Sequence, residues 1–505
     1  MKVINITDEL ELLNKEDLAG AMSSLSQRID SSLSSIYCLD LYEFDQFKEE
    51  KELGEYRFLV IYAFNFLSES KRIFLARPLK KGQTLVSVSD SWTNARLFED
   101  QIESHFGIKV YRNERVVYDF IDFKRGPYLK DQKYDLEPQC RDMKSLDSRT
   151  RHSLRELNPY YSHFFLNVYE SGESISRVDI EHGERLHLDK HIEKLSLAKV
   201  LHFMGYYSTY DKFMYENLWQ ETLEKISREK VDLYQKSLRM LLVEIHFGIR
   251  SLEILRDVLA QLNEDVYQKH VKELLNKVYV CLEEFKAYPF QKYLINYDQN
   301  TDLTVKWRTE AVQVLKEVSQ SIEKLQKSLI KLDRFKDIKL KDVSLNLVKH
   351  GVSGATLRTY GINYEMRSND PYYLYRDLER DRPLGIDGSL FDCMLVRSED
   401  AIHSFSDAIR VIESLPLKES RSIERSYINR SDADQIFFSY TESAIGEISF
   451  FTSIRANENE LYDFYCHTPS SNIADIFQRA SRPLDIDSMF LDWMSCGISV
   501  EELMK

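Results

Sequence analysis

"GVSGATLRTYGINYEMRSNDPYYLY" spans Gly351 to Tyr375, and its glycines set it apart from the rest of the chain. Only 16 of 505 residues are Gly, yet Gly351, Gly354 and Gly361 fall within eleven positions here. Arg358, Glu365, Arg367 and a Tyr-rich tail follow at once. Glycine permits positive φ and close backbone approach. Such a loop, with two Arg side chains, is able to hold an anion or form a cavity wall. Equally, it is able to serve as a helix-to-helix connection whose charges are satisfied locally. No Lys-Ser/Thr follows the Gly-x-x-Gly, so the stretch is not a phosphate loop.

A chain of 505 residues is expected to hold two or three domains. An apolar share of 43% supplies real cores, and the net charge of -14 argues against a nucleic-acid binder. The longest apolar run is about Phe58–Phe64, far short of the roughly 20 residues of a membrane span. The N-terminus lacks an apolar signal core. The expectation is a cytoplasmic protein, or one held at a membrane through partners. The six cysteines form no Cys-x-x-Cys pair, which predicts reduced thiols and no local metal motif.

Periodicity predicts an α+β fold in two parts. Residues 1–125 read as an α/β domain with a small sheet. Tyr56–Leu67 and Lys71–Leu79 form a hairpin, Thr84–Asp90 a third strand, and Trp92 onward a helix that stops at Gly107. Residues 126–157 read as a linker. Residues 158–505 are mainly helical with small hairpins. A β pair covers His163–Ile180. Leu238, Leu242, Ile245, Ile249, Leu252, Leu255 and Leu259 make one apolar stripe on a helix. Val305–Leu332 and Asp392 to about Leu415 are further helices, followed by a hairpin around Phe437 and Phe450.

Few side chains form a recognisable constellation. His187 and His191 stand four apart, which on a helix is metal-pair spacing, but the Glu of a zinc protease is missing between them. Solvated histidines give the same spacing. Arg239 and Glu244 flank the apolar stripe, so Glu244 meets either solvent or a cation of another element. No nucleophile triad or paired-carboxylate motif stands out.

The opening stretch resembles the large subunit of respiratory complex I and of the membrane-bound, energy-converting nickel–iron hydrogenases. That family carries Gly-x-x-Gly-x-x-Leu-Arg-x-x-Gly-x-x-x-Asp-x-Arg followed by Pro-Tyr and Tyr. Gly351, Gly354, Leu357, Arg358, Gly361, Glu365, Arg367, Pro371, Tyr372 and Tyr375 match in order and spacing, with Glu365 in place of Asp. Flanking segments are similar too. Ile192, Glu193 and Lys194 match a His-Arg-Gly-Ile-Glu-Lys segment in which Asp189 replaces the His. Glu442, Gly446 and Glu447 match a Glu-x-x-x-Gly-Glu signature, and Gly388, Val396 and Arg397 another segment in which Ser389 and Cys393 depart. Ala95, Glu99, Phe106, Gly107 and Ile108 resemble the complex I small accessory subunit, in the fused order of hydrogenase-4 and formate hydrogenlyase large subunits.

The resemblance implies a hydrogenase-large-subunit-like helical domain behind an accessory-subunit-like one. A nickel–iron centre needs four thiolates from two Cys-x-x-Cys pairs. Gly205–Ser208 and the segment around Cys496 stand at those places and cannot supply them, so no nickel and no other metal is expected on this chain. In complex I the corresponding cavity takes a quinone. The resemblance makes Tyr161, Asp189, Tyr206, Arg358, Glu365, Arg367 and Glu447 candidates for lining that region, with Tyr161 where a His would stand and Tyr206 as the quinone-facing Tyr. It implies a soluble peripheral-arm subunit at the cytoplasmic side of the inner membrane. Its implied partners are an iron–sulfur small subunit with 4Fe–4S clusters, antiporter-like membrane subunits and other complex I-like subunits. Electron transfer toward a quinone-like acceptor, coupled to ion translocation, is the first functional expectation. A catalytically inactive scaffold between antiporter-like subunits and soluble partners is the alternative.

Overall fold

A computed structural model describes residues 10–12, 15–42, 44, 55–69, 71–112, 127–132, 139–140, 150–153, 164–171, 174–182, 184–282, 303–331, 347–367, 375, 382–415, 428–429, 431–479 and 485–505. Tyr161, Pro371 and Tyr372 lie outside these residues, as does most of 126–157. The fold is α+β.

Four strands, β1 (Leu10–Leu12), β2 (Ser31–Asp40), β3 (Phe58–Phe66) and β4 (Lys71–Leu79), form a sheet of order β1-β4-β3-β2. β3 and β4 are the expected hairpin, antiparallel, with Phe58 opposite Leu79. β1 joins β4 in parallel. Helix α1 (Lys15–Gln27) follows β1, and α2 (Ala95–Phe106) ends at Gly107, whose φ of 66° carries the chain out. The third strand differs from expectation. Only Leu85–Val86 of Thr84–Asp90 is a strand, and it pairs with Val110–Tyr111 outside this sheet. The long partner of β3 is instead β2, whose four serines mask any apolar alternation.

In the second half, β5 (Phe164–Ser171) and β6 (Ser174–His182) pair antiparallel. Helices α3 (Lys212–Ser227), α4 (Leu233–Gln261), α5 (Asp265–Leu282), α6 (Val305–Leu329) and α8 (Leu390–Ser414) form a bundle, with the short α7 (Gly354–Thr359) before α8. The predicted stripe of α4 is buried, but so are Leu241 and Val243 on its other side. α4 is therefore the centre of the bundle rather than a surface helix. Ser389 and Asp392 form a capping box that starts α8. Strands β7 (Gln435–Glu442), β8 (Glu447–Ile454) and β9 (Asp463–His467) form an antiparallel meander, and α9 (Pro469–Arg479), α10 (Ile486–Cys496) and α11 (Val500–Met504) complete the described chain. No helix among the described residues is long and apolar enough to cross a membrane.

The two halves share apolar surface. Ile436, Phe438, Phe451, Tyr462 and Tyr465 of the meander region belong to the same buried cluster as β2, β3 and β4. Tyr37 of β2 stacks on Phe451 with ring centroids 4.7 Å apart.

The glycine-rich stretch threads between these layers. Gly351 and Gly354 both have left-handed backbones, φ 68° and 69°. A Cβ at Gly351 would lie 2.8 Å from the Leu33 carbonyl oxygen of β2, and one at Gly354 would lie 2.8 Å from that of Ile445. Backbone freedom is thus needed because the loop is pressed between β2 and the turn joining β7 to β8. Gly354→Ala is expected to cost at least about 1–2 kcal/mol from the left-handed backbone alone, with more from the clash. A lower urea midpoint at unchanged m-value measures it.

Candidate functional site

Arg358 lies on α7 with no exposed surface and forms a two-pronged pair with Asp400 of α8. The second prong, Nη2 to Oδ2, is 2.9 Å long. Nearby carboxylates outweigh the cost of burial and hold the Arg358 pKa above its ordinary value. Arg367 sits at the centre of a second set. Its Nη1 donates to both oxygens of Glu244 on α4, at 3.1 and 3.0 Å, and its Nη2 donates to Glu365 at 2.6 Å. The guanidinium lies 3.4 Å from the centre of the Phe247 ring. Tyr375 Oη donates to Glu244 at 2.6 Å, and Arg382 Nε donates to the other oxygen of Glu365. Glu244 therefore meets a cation of another element rather than solvent. Arg239 pairs separately, with Glu224 of α3 at 2.7 Å.

Glu442 closes this network from β7. Its Oε2 accepts from the backbone N–H groups of Met366 and Arg367, while Oε1 has no partner among the described residues. Burial, reinforced by the Glu365 charge and opposed by Arg358 and Arg367, pushes its pKa up to about 7. The carboxyl thus has a titration point close to neutrality.

Glu447 makes a different junction. Its Oε1 accepts from Ser34 of β2 at 2.7 Å and from Arg72 of β4 at 2.7 Å. Its Oε2 accepts from Asn65 of β3 at 2.9 Å. Its backbone N–H donates to Ser353 Oγ at 2.8 Å. One residue of β8 thereby ties the first sheet to the glycine-rich loop.

Asp189 and the 205–208 segment lie elsewhere. Asp189 is buried, accepts from Tyr207 Oη and from the Cys466 N–H at 3.4 Å, and has its pKa raised by burial. The candidate Tyr206 is 56% exposed, and its neighbour Tyr207 is the one turned inward to Asp189. Tyr161 lies outside the described residues. His187 and His191 do not share a helix face. The short helix begins after His187, whose backbone is left-handed, and His187 contacts Tyr128 and His105 while His191 is exposed.

The two segments where the resemblance places cysteine pairs meet in space. Ser208 Oγ and Ser499 Oγ are 3.2 Å apart and buried. The one Ser499 hydrogen goes to Glu501 at 2.7 Å, so Ser208 is the donor between them. Glu502 beside them accepts from Tyr215 Oη at 2.7 Å and from the Ser470 N–H at 3.2 Å, and burial together with Asp211 pushes its pKa up to about 7. Arg397 reaches the same corner, donating to the carbonyls of Ser495 at 3.3 Å and Cys496 at 3.4 Å. Among the described residues no group of three or more His, Cys, Asp or Glu is placed to hold a metal ion.

The candidates thus fall into three places: Arg358, Glu365 and Arg367 in one buried ion network, Glu447 at the sheet junction, and Asp189 with Tyr207 near Cys466. Chemically, the first can hold charge and one neutral-range proton. Asp400, Arg382 and Ser499 are new members that the sequence reading missed. Asp400 had a signal, because it interrupts the apolar face of a helix between Met394 and Phe405.

Comparison with known proteins follows the same outline. Residues 291–464 match the family model of the respiratory-chain NADH dehydrogenase 49 Kd subunit. The D 1 subunit of the NADH-quinone oxidoreductase of Roseiflexus sp. (strain RS-1) is 30% identical over 129 residues, which cover 24% of this chain and 34% of that protein. The D subunit of the Wolbachia pipientis wMel enzyme is 22% identical over 275 residues, 52% of this chain and 69% of that protein. The C/D subunit of the Bdellovibrio bacteriovorus enzyme is 28% identical over 113 residues, 22% of this chain and 19% of that protein. The chain thus spans about a third of the Roseiflexus relative and a fifth of the Bdellovibrio one.

Two outcomes follow from the network. Arg358→Ala strands the buried Asp400 carboxylate and is expected to cost about 3–5 kcal/mol, whereas Arg358→Met with Asp400→Leu recovers most of that loss, both read by denaturant unfolding. The raised Glu442 pKa means that the folded chain keeps a proton which the unfolded chain has lost between about pH 4.5 and 7. Stability from this group is therefore present at low pH and falls as pH rises through 7. Glu442→Gln keeps an acceptor for both N–H groups, so it is expected to be more stable than the parent above pH 7, the difference closing below about pH 5 in a pH series of unfolding midpoints.

Proposed function

We propose that this chain is a component of the peripheral arm of a complex I-like or hydrogenase-4-like membrane oxidoreductase, in the place that the D subunits of NADH-quinone oxidoreductases take. In this reading it takes part in electron transfer toward a quinone-like acceptor, coupled to ion translocation by antiporter-like membrane subunits. The observation that carries it is the match over 291–464, which includes Arg358, Glu365, Arg367 and Asp400, though not Glu244 of α4. The electrons would come through 4Fe–4S clusters of a small-subunit partner, and the assembly would sit on the cytoplasmic face of the inner membrane. In this reading the chain holds no nickel, which asks for thiolates: the segments that the resemblance sets against the cysteine pairs bring together the hydroxyls of Ser208 and Ser499, which are hard donors.

One observation favours a second reading, that of a scaffold without turnover. Arg358, Glu365 and Arg367 are each committed to protein partners, so their charges serve the packing of α4, α7 and α8.

Affinity purification of a tagged chain from membranes in mild detergent distinguishes these. The expected result is co-purification of an iron–sulfur subunit and polytopic antiporter-like subunits, with donor-dependent reduction of a short-chain quinone. Recovery of the antiporter-like subunits with no cluster-binding subunit and no quinone reduction would leave the scaffold. A chain that stays free in the soluble fraction with neither partner would sink both.

A further inference from the structure

Arg77 of β4 stands apart from every charged residue discussed so far. It is only 4% exposed, yet among the described residues it makes no hydrogen bond or ion pair. Arg72 on the same strand shows the contrast, with Glu447 2.7 Å away. A guanidinium stays protonated at any pH the fold survives. None of its nitrogens is fully buried, so the unpaired guanidinium keeps a face open to water through which an anion can reach it. Arg77 also lines a cavity of about 290 Å³ between α1, β4 and residues 86–92. Leu18, Met22, Val88 and Trp92 make its walls apolar, and Ser87 and the exposed Asp90 also line it.

We propose that this cavity binds a small monoanion with an apolar body, an alkyl or aryl carboxylate, whose charged end pairs with Arg77. Each property of the ligand follows from a feature of the site. The unpaired cation lining the cavity asks for an anionic group, and a carboxylate matches the guanidinium fork with two parallel hydrogen bonds. The apolar walls ask for a hydrocarbon body. The volume is at the low end for ligand sites, which limits the guest to on the order of ten non-hydrogen atoms. Asp90 lines the same cavity and disfavours a second negative charge. The site lies on the first sheet and shares no lining residue with the Arg358 network.

The test uses the purified full chain with hexanoate as probe, and hexanol and inorganic phosphate as its uncharged and bodiless counterparts. Ligand-observed NMR or calorimetry is expected to give hexanoate a dissociation constant on the order of 0.1–1 mM, at least about tenfold tighter than either counterpart. Hexanol binding as tightly would show that the charge of Arg77 is not used, and phosphate binding as tightly would show that the apolar walls are not; either overturns the proposal. Arg77→Met is expected to abolish the preference for hexanoate over hexanol. If Arg77→Met does not fold, Arg77→Gln decides in its place, and a preference for hexanoate over hexanol retained in it overturns the proposal. Arg77→Lys, which keeps the charge without the fork, is expected to weaken hexanoate severalfold; unchanged binding in Arg77→Met sinks the site outright.

Discussion

The carboxylate of Glu447 is the constraint on which the arrangement of layers depends. Three donors from three strands of the first sheet converge on it, and its own backbone N–H holds the loop before α7. A buried carboxylate is tolerated only when its charge and lone pairs are met, and charge-assisted bonds of 2.7–2.9 Å meet them here. The position of β8 therefore fixes the spacing between the first sheet and the loop. At that spacing no side chain fits at Gly351 or Gly354. The concentration of glycine in this loop follows from that spacing.

Much of this was legible in the sequence, where local pattern and tertiary demand agreed. The β3–β4 hairpin, the stop at Gly107, the α4 stripe and the β7–β8 hairpin all follow from period and punctuation. β2 was not legible, because its serines break the apolar alternation, and its contacts with the meander, such as that of Ser34 with Glu447, are set by distant sequence. Tyr37, for instance, donates to or accepts from Ser449 of β8 across 3.0 Å. The motif identified Arg358 and Arg367 as important but gave no sign that their charges are spent inside the protein. That depends on Asp400 and Glu244, which are 42 and 123 residues away in sequence. Tyr206 and Tyr207 differ by one position, and only the helix ending at Met204 decides which of them turns inward.

The corner around Ser208 and Ser499 shows how a fold keeps a meeting point while changing what meets there. The hydroxyls of Ser208 and Ser499 pair with each other, the Glu502 carboxyl accepts from Tyr215 Oη and the Ser470 N–H, and the Arg397 guanidinium donates to backbone carbonyls. These are hard oxygen and nitrogen groups bonded to both helices, so the corner acts as a polar clamp on α10 and α11.

The shared apolar cluster also sets an order of events during synthesis. β2, β3 and β4 emerge from the ribosome early, yet the surface that covers them includes Phe438, Phe451 and Tyr465. Close to 400 residues must be made between Phe66, where β3 ends, and Tyr465. During that interval the first sheet carries an uncovered aromatic face, and Glu447 is not yet present to receive Arg72. A nascent chain with such long-delayed closure is exposed to misassociation for tens of seconds at ordinary elongation rates of about 5–20 residues per second. The acidic surplus of the chain, which keeps copies apart by repulsion, then protects the growing polypeptide as much as the finished one.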